Sequence, residues 1–179
     1  VITPVVQPIM SNYENELHQI KAVYFKITSV LANLGIPLSV FLYFAANDIV
    51  LFVFGDQWYD SVFTFQILAV SVWIQMIQSS TGSIFQSGNR RDLLLWSGVL
   101  STIFNVSSII IGIVIGKIEY VALMLVISFS INFLMNNYLL MHKMFKSNFL
   151  EFFSVLKKPL LIGILQMMYF LLLPDLSFS

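Results

Sequence analysis

Long apolar runs, each bounded by charged residues, divide this chain into segments of membrane-spanning length. A helix that crosses the hydrocarbon core needs about 20 apolar residues at a rise of about 1.5 Å each. Four runs reach this length outright, whereas the run that begins at Pro159 is shorter and requires a tilted helix or a thinned bilayer. The pattern therefore predicts five spans, at approximately residues 27–54, 61–87, 93–116, 120–141 and 159–173.

The segments between the spans are also predicted to be helical. Residues 11–26 repeat apolar side chains every three or four positions, which is typical of an amphipathic helix that runs into the first span on the cytoplasmic side. Residues 142–158 alternate aromatic and polar side chains and are predicted to lie on the inner membrane surface. We interpret residues 1–10 as the end of a preceding membrane helix and residues 174–179 as an external tail, so we expect the chain to be a piece of a longer protein.

Composition supports the same fold class. Of the 179 residues, 58% are hydrophobic and only 10% are charged, against a charged share of about 25% in soluble domains. Soluble globular, disordered and nucleic-acid-binding proteins are therefore excluded, because so few charges cannot cover a soluble surface. The absence of cysteine excludes a disulfide framework and a thiol nucleophile. We predict an all-α integral membrane protein with interfacial amphipathic helices.

Basic residues set the predicted orientation. With residues 1–26 on the cytoplasmic side, only Lys117 falls outside. The other bases then all fall inside, and they are Lys21, Lys26, Arg90, Arg91, Lys143, Lys146, Lys157 and Lys158. This asymmetry follows the positive-inside rule, so we expect the residue 179 side to be external.

Polar stripes run along three of the predicted spans, with members spaced so that they share a helix face. The larger amides and a neighbouring serine are the candidate substrate-path residues Gln75, Gln78, Ser79, Asn105, Asn132 and Asn136. Two interpretations remain open. Small polar residues let membrane helices approach closely and hydrogen-bond, whereas a hydrated cavity also places polar side chains at membrane depth. Glutamine and asparagine favour the cavity, because they are larger than close helix packing requires.

Charged residues supply two further candidates. Asp48 is an acid within a predicted span, which indicates an ion or gating role or a cap at a helix break near the outer interface. Arg90 and Arg91 are candidates for the cytoplasmic mouth, where they could bind phosphate through charge-assisted hydrogen bonds. The alternative is that this pair only anchors the topology.

No catalytic or metal-binding constellation is predicted. We interpret His18 and His142 as solvated surface residues rather than metal ligands, and the chain carries no Gly-rich phosphate loop. We therefore predict no catalytic residue, no metal, no cofactor and no nucleic-acid partner, and we expect a transporter rather than an enzyme.

Several motifs together resemble a known family, and the likeness covers roughly residues 1–145. The motifs are Thr3-Pro4, Tyr24-Phe25-Lys26, Pro37 within a span, Ile49 to Gly55 followed by Trp58, and Gln86-Ser87-Gly88-Asn89-Arg90 at an inner turn. In order, they resemble the C-terminal half of bacterial Wzx-type polysaccharide and O-antigen flippases, of the multidrug/oligosaccharidyl-lipid/polysaccharide exporter superfamily. One departure is Glu119, which stands where relatives tend to carry a glycine.

The resemblance implies that these helices form most of the second lobe of a two-lobed, multi-pass transporter in the bacterial inner membrane. It implies alternating access and a substrate that is an isoprenoid-diphosphate-linked oligosaccharide, flipped outward for polysaccharide assembly. The implied partners are that lipid-linked oligosaccharide, membrane lipids and other polysaccharide-assembly membrane proteins. A drug/cation antiporter of the same superfamily that uses Asp48, a membrane glycan polymerase or ligase, and a non-transporting scaffold remain as alternatives.

Overall fold

The computed structural model describes the backbone of residues 3–172 and the side chains of residues 16–172. Within these residues the fold is helical, without a strand. The helices are α1 (Thr3–Phe44), α2 (Ala46–Phe54), α3 (Val62–Ala69), α4 (Val72–Ser87), α5 (Arg91–Ile115), α6 (Ile118–Tyr138) and α7 (Phe149–Leu172). A 3₁₀ turn (Asp56–Ser61) joins α2 to α3, and a π-helical turn (Leu139–Met144) continues α6. The predicted tail at residues 174–179 and the side chains of residues 1–10 lie outside the described part.

α1 is a single helix across Lys26, where the sequence pattern separated an amphipathic helix from the first span. Its 42 residues correspond to about 63 Å, roughly twice the ~30 Å thickness of a hydrocarbon core. The helix is uninterrupted there because residues 11–34 contain neither proline nor glycine. The amphipathic segment and the start of the span are therefore one rod.

Two predicted spans, 27–54 and 61–87, are broken on either side of the 3₁₀ turn. The first is interrupted at Ala45, between α1 and α2, and the second between α3 and α4, which are bent by 50°. At the second break the Ser71 hydroxyl donates to the carbonyl of Leu68 at 2.7 Å. The N–H of Trp73 donates to the hydroxyl of Ser39 in α1 at 2.9 Å. Because side chains satisfy backbone groups at this break, the helix ends there without glycine or proline.

α5 and α6 form a closely packed helical hairpin. A Cβ atom at Gly112 would lie 2.5 Å from the Cα atom of Val121, so only glycine fits this crossing. Between the two helices Gly116 adopts φ of +88°, a left-handed conformation that glycine reaches without steric cost and that ends α5. The predicted spans 93–116 and 120–141 correspond to these two helices.

α7 begins at Phe149, within the segment 142–158 that the sequence predicts to lie on the inner membrane surface. Its first part belongs to the π-helical turn, where the N–H of Phe145 donates to the carbonyl of Leu140 at 2.9 Å. Its second part is the first turns of α7, where Phe152 is fully buried in the core. The predicted helix start at Pro159 therefore moves toward the N-terminus, and Pro159 lies inside α7. Membrane helices tolerate an interior proline where neighbouring helices pack against it.

The core lies between α1, α4, α6 and α7, and an aromatic cluster in it joins α1 to α6 and α7. Tyr24 is fully buried, and its ring stacks on that of Phe152 with 6.2 Å between centroids. The Tyr24 hydroxyl donates to Oδ1 of Asn137, which is also buried. Beside this cluster Lys21 Nζ lies 2.5 Å from a carboxylate oxygen of Glu151. These contacts hold the inner part of α1 against the start of α7.

The prediction of an all-α membrane protein with about five transmembrane helices is confirmed. Four described helical segments are long and apolar enough to cross a membrane, and the bent pair of α3 and α4 accounts for a fifth. The side chains that α6 exposes are apolar or aromatic throughout, as a lipid-facing surface requires, including Leu123, Ile127, Ile131 and Leu134.

Cysteines at opposite ends of the bundle test the orientation. Gln57 is exposed in the 3₁₀ turn and Asn148 is exposed just before α7. We expect Gln57→Cys to react with a membrane-impermeant thiol reagent in intact cells, and Asn148→Cys to react only after permeabilisation. The native chain contains no cysteine and serves as the unlabelled control. Labelling of Asn148→Cys from outside would show that the orientation is inverted.

Candidate functional site

The exposed face of α4 is polar along its whole length. Every exposed side chain of this helix is a glutamine or a serine, and they are Gln75, Ser79, Ser83, Gln86 and Ser87. This face contrasts with α6, whose exposed side chains are apolar or aromatic. Moving an amide or hydroxyl from water into hydrocarbon without a hydrogen-bond partner costs roughly 2–7 kcal/mol. The face of α4 is therefore suited to water or to a polar partner rather than to lipid.

A pocket of about 230 Å³ opens on this face, between α4, α5 and α6. Its lining residues are Gln75, Gln78, Ser79, Ser101, Asn105, Phe129 and Asn132. Asn105 and Asn132 lie near the midpoints of their spans, so the pocket lies at mid-membrane depth. The structure thus brings together all of the predicted path residues except Asn136. Ser101 could have been found from its spacing of four residues from Asn105, whereas Phe129 carried no signal in the sequence.

Hydrogen bonds organise the floor of the pocket around Asn105. Its Oδ1 accepts from the hydroxyl of Ser128 at 2.7 Å and from Nδ2 of Asn132 at 3.3 Å. Nδ2 of Asn132 also lies 3.4 Å from the Ser128 hydroxyl. The Oδ1 of Asn132 is buried and has no hydrogen-bond partner among the described residues. The amides of Asn105 and Asn132 and the hydroxyl of Ser128 thus form one polar cluster beneath the pocket.

Asn136 lies one turn along α6 from Asn132 but does not line the pocket. Its side chain is 4% exposed, and its Oδ1 also lacks a hydrogen-bond partner in the described part of the chain. The two amides share a helix face at a spacing of four residues. Asn136 thus continues the polar stripe of Asn132 on α6 outside the lining of the pocket.

Asp48 lies apart from the pocket, in the first turn of α2. It is half-buried and immediately follows the break at Ala45. A carboxylate at this place is stabilised by the positive end of the helix dipole. This placement agrees with the interpretation of Asp48 as a residue of a helix break.

Arg90 and Arg91 lie where α5 begins, at the end of the bundle that the charge pattern predicts to be cytoplasmic. The Arg90 guanidinium lies 3.0 Å from a carboxylate oxygen of Asp92 and donates to the backbone carbonyl of Lys143 at 2.9 Å. Arg90 therefore ties the turn between α4 and α5 to the end of the π-helical turn. Arg91 is exposed in the first turn of α5.

The pocket is polar and uncharged. The residues that line it carry amides, hydroxyls and one aromatic ring, and no acid or base is among them. Within the described residues no group of three or more His, Cys, Asp or Glu side chains could hold a metal ion. Amides and hydroxyls in this arrangement can exchange hydrogen bonds with water or with the hydroxyl groups of a neutral ligand.

The chain is similar to proteins of polysaccharide assembly. The sequence model of a family described as "Polysaccharide biosynthesis protein" matches residues 1–63. Teichuronic acid biosynthesis protein TuaB of Bacillus subtilis is 27% identical over 164 residues, which is 90% of this chain and 33% of TuaB. Lipopolysaccharide biosynthesis protein WzxC of Escherichia coli is 24% identical over 112 residues, which is 63% of this chain and 23% of WzxC.

A third relative is a membrane protein of the cps region of Klebsiella pneumoniae, 27% identical over 93 residues, or 52% of this chain and 19% of that protein. No solved structure matches the chain significantly. The chain spans at most a third of the length of these curated relatives. The resemblance to Wzx-type proteins and the multi-pass membrane location are confirmed by these matches together with the apolar helices.

Proposed function

We propose that this chain is part of a flippase for polysaccharide biosynthesis, and that it moves isoprenoid-diphosphate-linked oligosaccharides across the cell membrane by alternating access. The observation that carries this proposal is the uncharged polar pocket at mid-membrane depth, which opens on the polar face of α4. The similarity to TuaB and WzxC, whose names refer to teichuronic acid and lipopolysaccharide biosynthesis, supports the substrate class.

The pocket suits the sugar part of such a substrate. Sugar hydroxyls are donors and acceptors, and the pocket is lined by the amides of Asn105 and Asn132 and by the hydroxyls of Ser79 and Ser101. Gln75 and Gln78 add amide donors and acceptors at the rim. Hydrogen bonds made here compensate the cost of taking a sugar out of water, while the isoprenoid tail stays in the bilayer.

The diphosphate requires positive charge that this pocket does not supply. No lysine or arginine lines it, and Arg90, at the inner end, is bonded to Asp92 and to the carbonyl of Lys143. We therefore expect basic residues of another lobe to line the opposite wall of the path. Gln75 and Ser79 would then face that lobe across a hydrated cavity.

Deletion of the gene in the source bacterium tests the flippase. We expect loss of the surface polysaccharide together with accumulation of the complete lipid-linked repeat unit on the cytoplasmic leaflet, measured by mass spectrometry of membrane lipids and by access to impermeant glycan reagents. Restoration by the wild-type gene is the control. Single repeat units that reach the outer leaflet without being polymerised would instead indicate a glycan polymerase. An unchanged surface glycan would contradict the proposal.

A further inference from the structure

A second groove lies at the end of the bundle that carries Lys117, between α3 and α6. Its volume is about 380 Å³, within the range of roughly 300–1,000 Å³ that is typical of ligand sites. The residues that line it are Phe63, Ile67, Lys117, Glu119, Tyr120 and Leu123. It shares no lining residue with the polar pocket of α4, α5 and α6.

The groove lies at the level of the lipid headgroups. Lys117 is in the short connection between α5 and α6, at the end of two spans. At the same end of the bundle the 3₁₀ turn exposes Trp58 and Tyr59, and Tyr120 is also exposed. Exposed tryptophan and tyrosine side chains are enriched at the membrane–water interface. The charge pattern predicts that this interface is the external one.

The groove carries two opposite charges that do not neutralise each other. Lys117 has an extended backbone just before α6, whereas Glu119 lies in the first turn of that helix. The ion pairs of the described residues join other side chains, Lys21 to Glu151 and Arg90 to Asp92. The groove thus offers an ammonium and a carboxylate together with the ring of Tyr120.

We propose that this groove binds the zwitterionic headgroup of phosphatidylethanolamine from the outer leaflet. The Lys117 ammonium donates to the lipid phosphate, and the Glu119 carboxylate accepts from the lipid ammonium. The Tyr120 ring provides a cation–π surface for the same ammonium. Phe63, Ile67 and Leu123 form an apolar wall that contacts the first methylene groups of an acyl chain.

The charges select this lipid among the common ones. Phosphatidylglycerol carries the phosphate without the ammonium, so Glu119 repels it. Phosphatidylcholine carries a quaternary ammonium, which interacts with the Tyr120 ring but has no N–H to donate to Glu119. We therefore expect binding to decrease in the order phosphatidylethanolamine, phosphatidylcholine, phosphatidylglycerol.

Native mass spectrometry of the purified protein tests the site, with the three lipids added at matched acyl chains. We expect Lys117→Gln to weaken phosphatidylethanolamine binding at least about tenfold, the effect of losing one charge-assisted hydrogen bond. We expect Glu119→Gln to weaken phosphatidylethanolamine by a similar factor and to strengthen phosphatidylglycerol, which a general loss of folding would not do.

The matched controls are Asp60→Asn, an exposed acid at the same end, and Lys143→Gln, an exposed base at the other end. Neither residue lines the groove, so both variants should bind the lipids as the wild type does. Equal binding of the three lipids by the wild type, or unchanged selectivity in Glu119→Gln, would overturn the proposal. The site does not depend on the proposed transport, because lipid binding is measured without a glycan substrate.

Discussion

Replacing Gly112 by valine is expected to separate α5 from α6 and to remove most of the folded protein from the membrane. A Cβ atom at this position would lie 2.5 Å from the Cα atom and 2.9 Å from the backbone nitrogen of Val121. Backbone atoms cannot rotate away as a side chain can, so the two helices must move apart along their interface. We expect a cost of about 3 kcal/mol, at the upper end of the usual range for overpacking.

Gly98 provides the matched control on the same helix. A Cβ atom there would meet nothing within 4 Å, so Gly98→Val changes helix propensity without introducing a steric clash. Thermal unfolding of the detergent-purified proteins, followed by size-exclusion fluorescence, measures both variants. If Gly112→Val and Gly98→Val unfold at the same temperature, the close crossing of α5 and α6 is not what holds these helices together.

The double substitution Gln75→Leu/Ser79→Leu is expected to lower polysaccharide export at least about tenfold while leaving the protein folded. Both side chains are exposed on α4 and line the polar pocket. Both side chains donate only to neighbours in sequence. Gln75 Nε2 donates to the Ser71 hydroxyl at 3.0 Å, and the Ser79 hydroxyl donates to the Met76 carbonyl at 2.7 Å. Their loss costs little fold stability, whereas a sugar hydroxyl left unpaired against leucine costs about 1–3 kcal/mol.

Export is measured by the surface glycan restored to a deletion strain, at protein levels matched by immunoblot. Ser107→Leu is the control, because Ser107 is exposed on α5 and does not line the pocket. Polar stripes that only pack helices, or a scaffold that moves nothing, would tolerate the double substitution without loss of glycan. That result would leave the flippase proposal without its site.

The helices that the sequence predicts best are those whose ends are marked by charge and glycine. α5 begins at Arg91 and ends before Gly116. Both ends are marked locally in the sequence, the first by charged residues and the second by a glycine that adopts the left-handed conformation. The five-span count follows equally from run length, because the bilayer sets a minimum length.

The break between α3 and α4 could not be predicted, since tertiary contacts create it. The break between α3 and α4 has no glycine or proline. It depends on a hydrogen bond that the Trp73 N–H donates to the hydroxyl of Ser39 in α1. Conversely Pro159, which indicated a helix start, lies within α7 because burial of Phe152 and Leu156 favours an earlier start. Periodicity reports which face of a helix is apolar but not which neighbour covers it.

The candidate site was predictable as far as helix periodicity reaches. A spacing of four residues placed Gln75 and Ser79 on one face, and the structure joins that face to Asn105 and Asn132 of the neighbouring helices. Which stripes meet depends on helix order and rotation, which the sequence does not specify. Asn136, on the same stripe as Asn132, is buried but does not line the pocket.

The unbroken length of α1 has a mechanical consequence. Because α1 is continuous over 42 residues, about 63 Å, a rigid-body tilt of this helix would move both of its ends. A tilt of roughly 10° about its midpoint would shift each end by about 5 Å, which is close to one helical turn. Because Lys21 is paired with Glu151 of α7, such a tilt would also displace the start of α7.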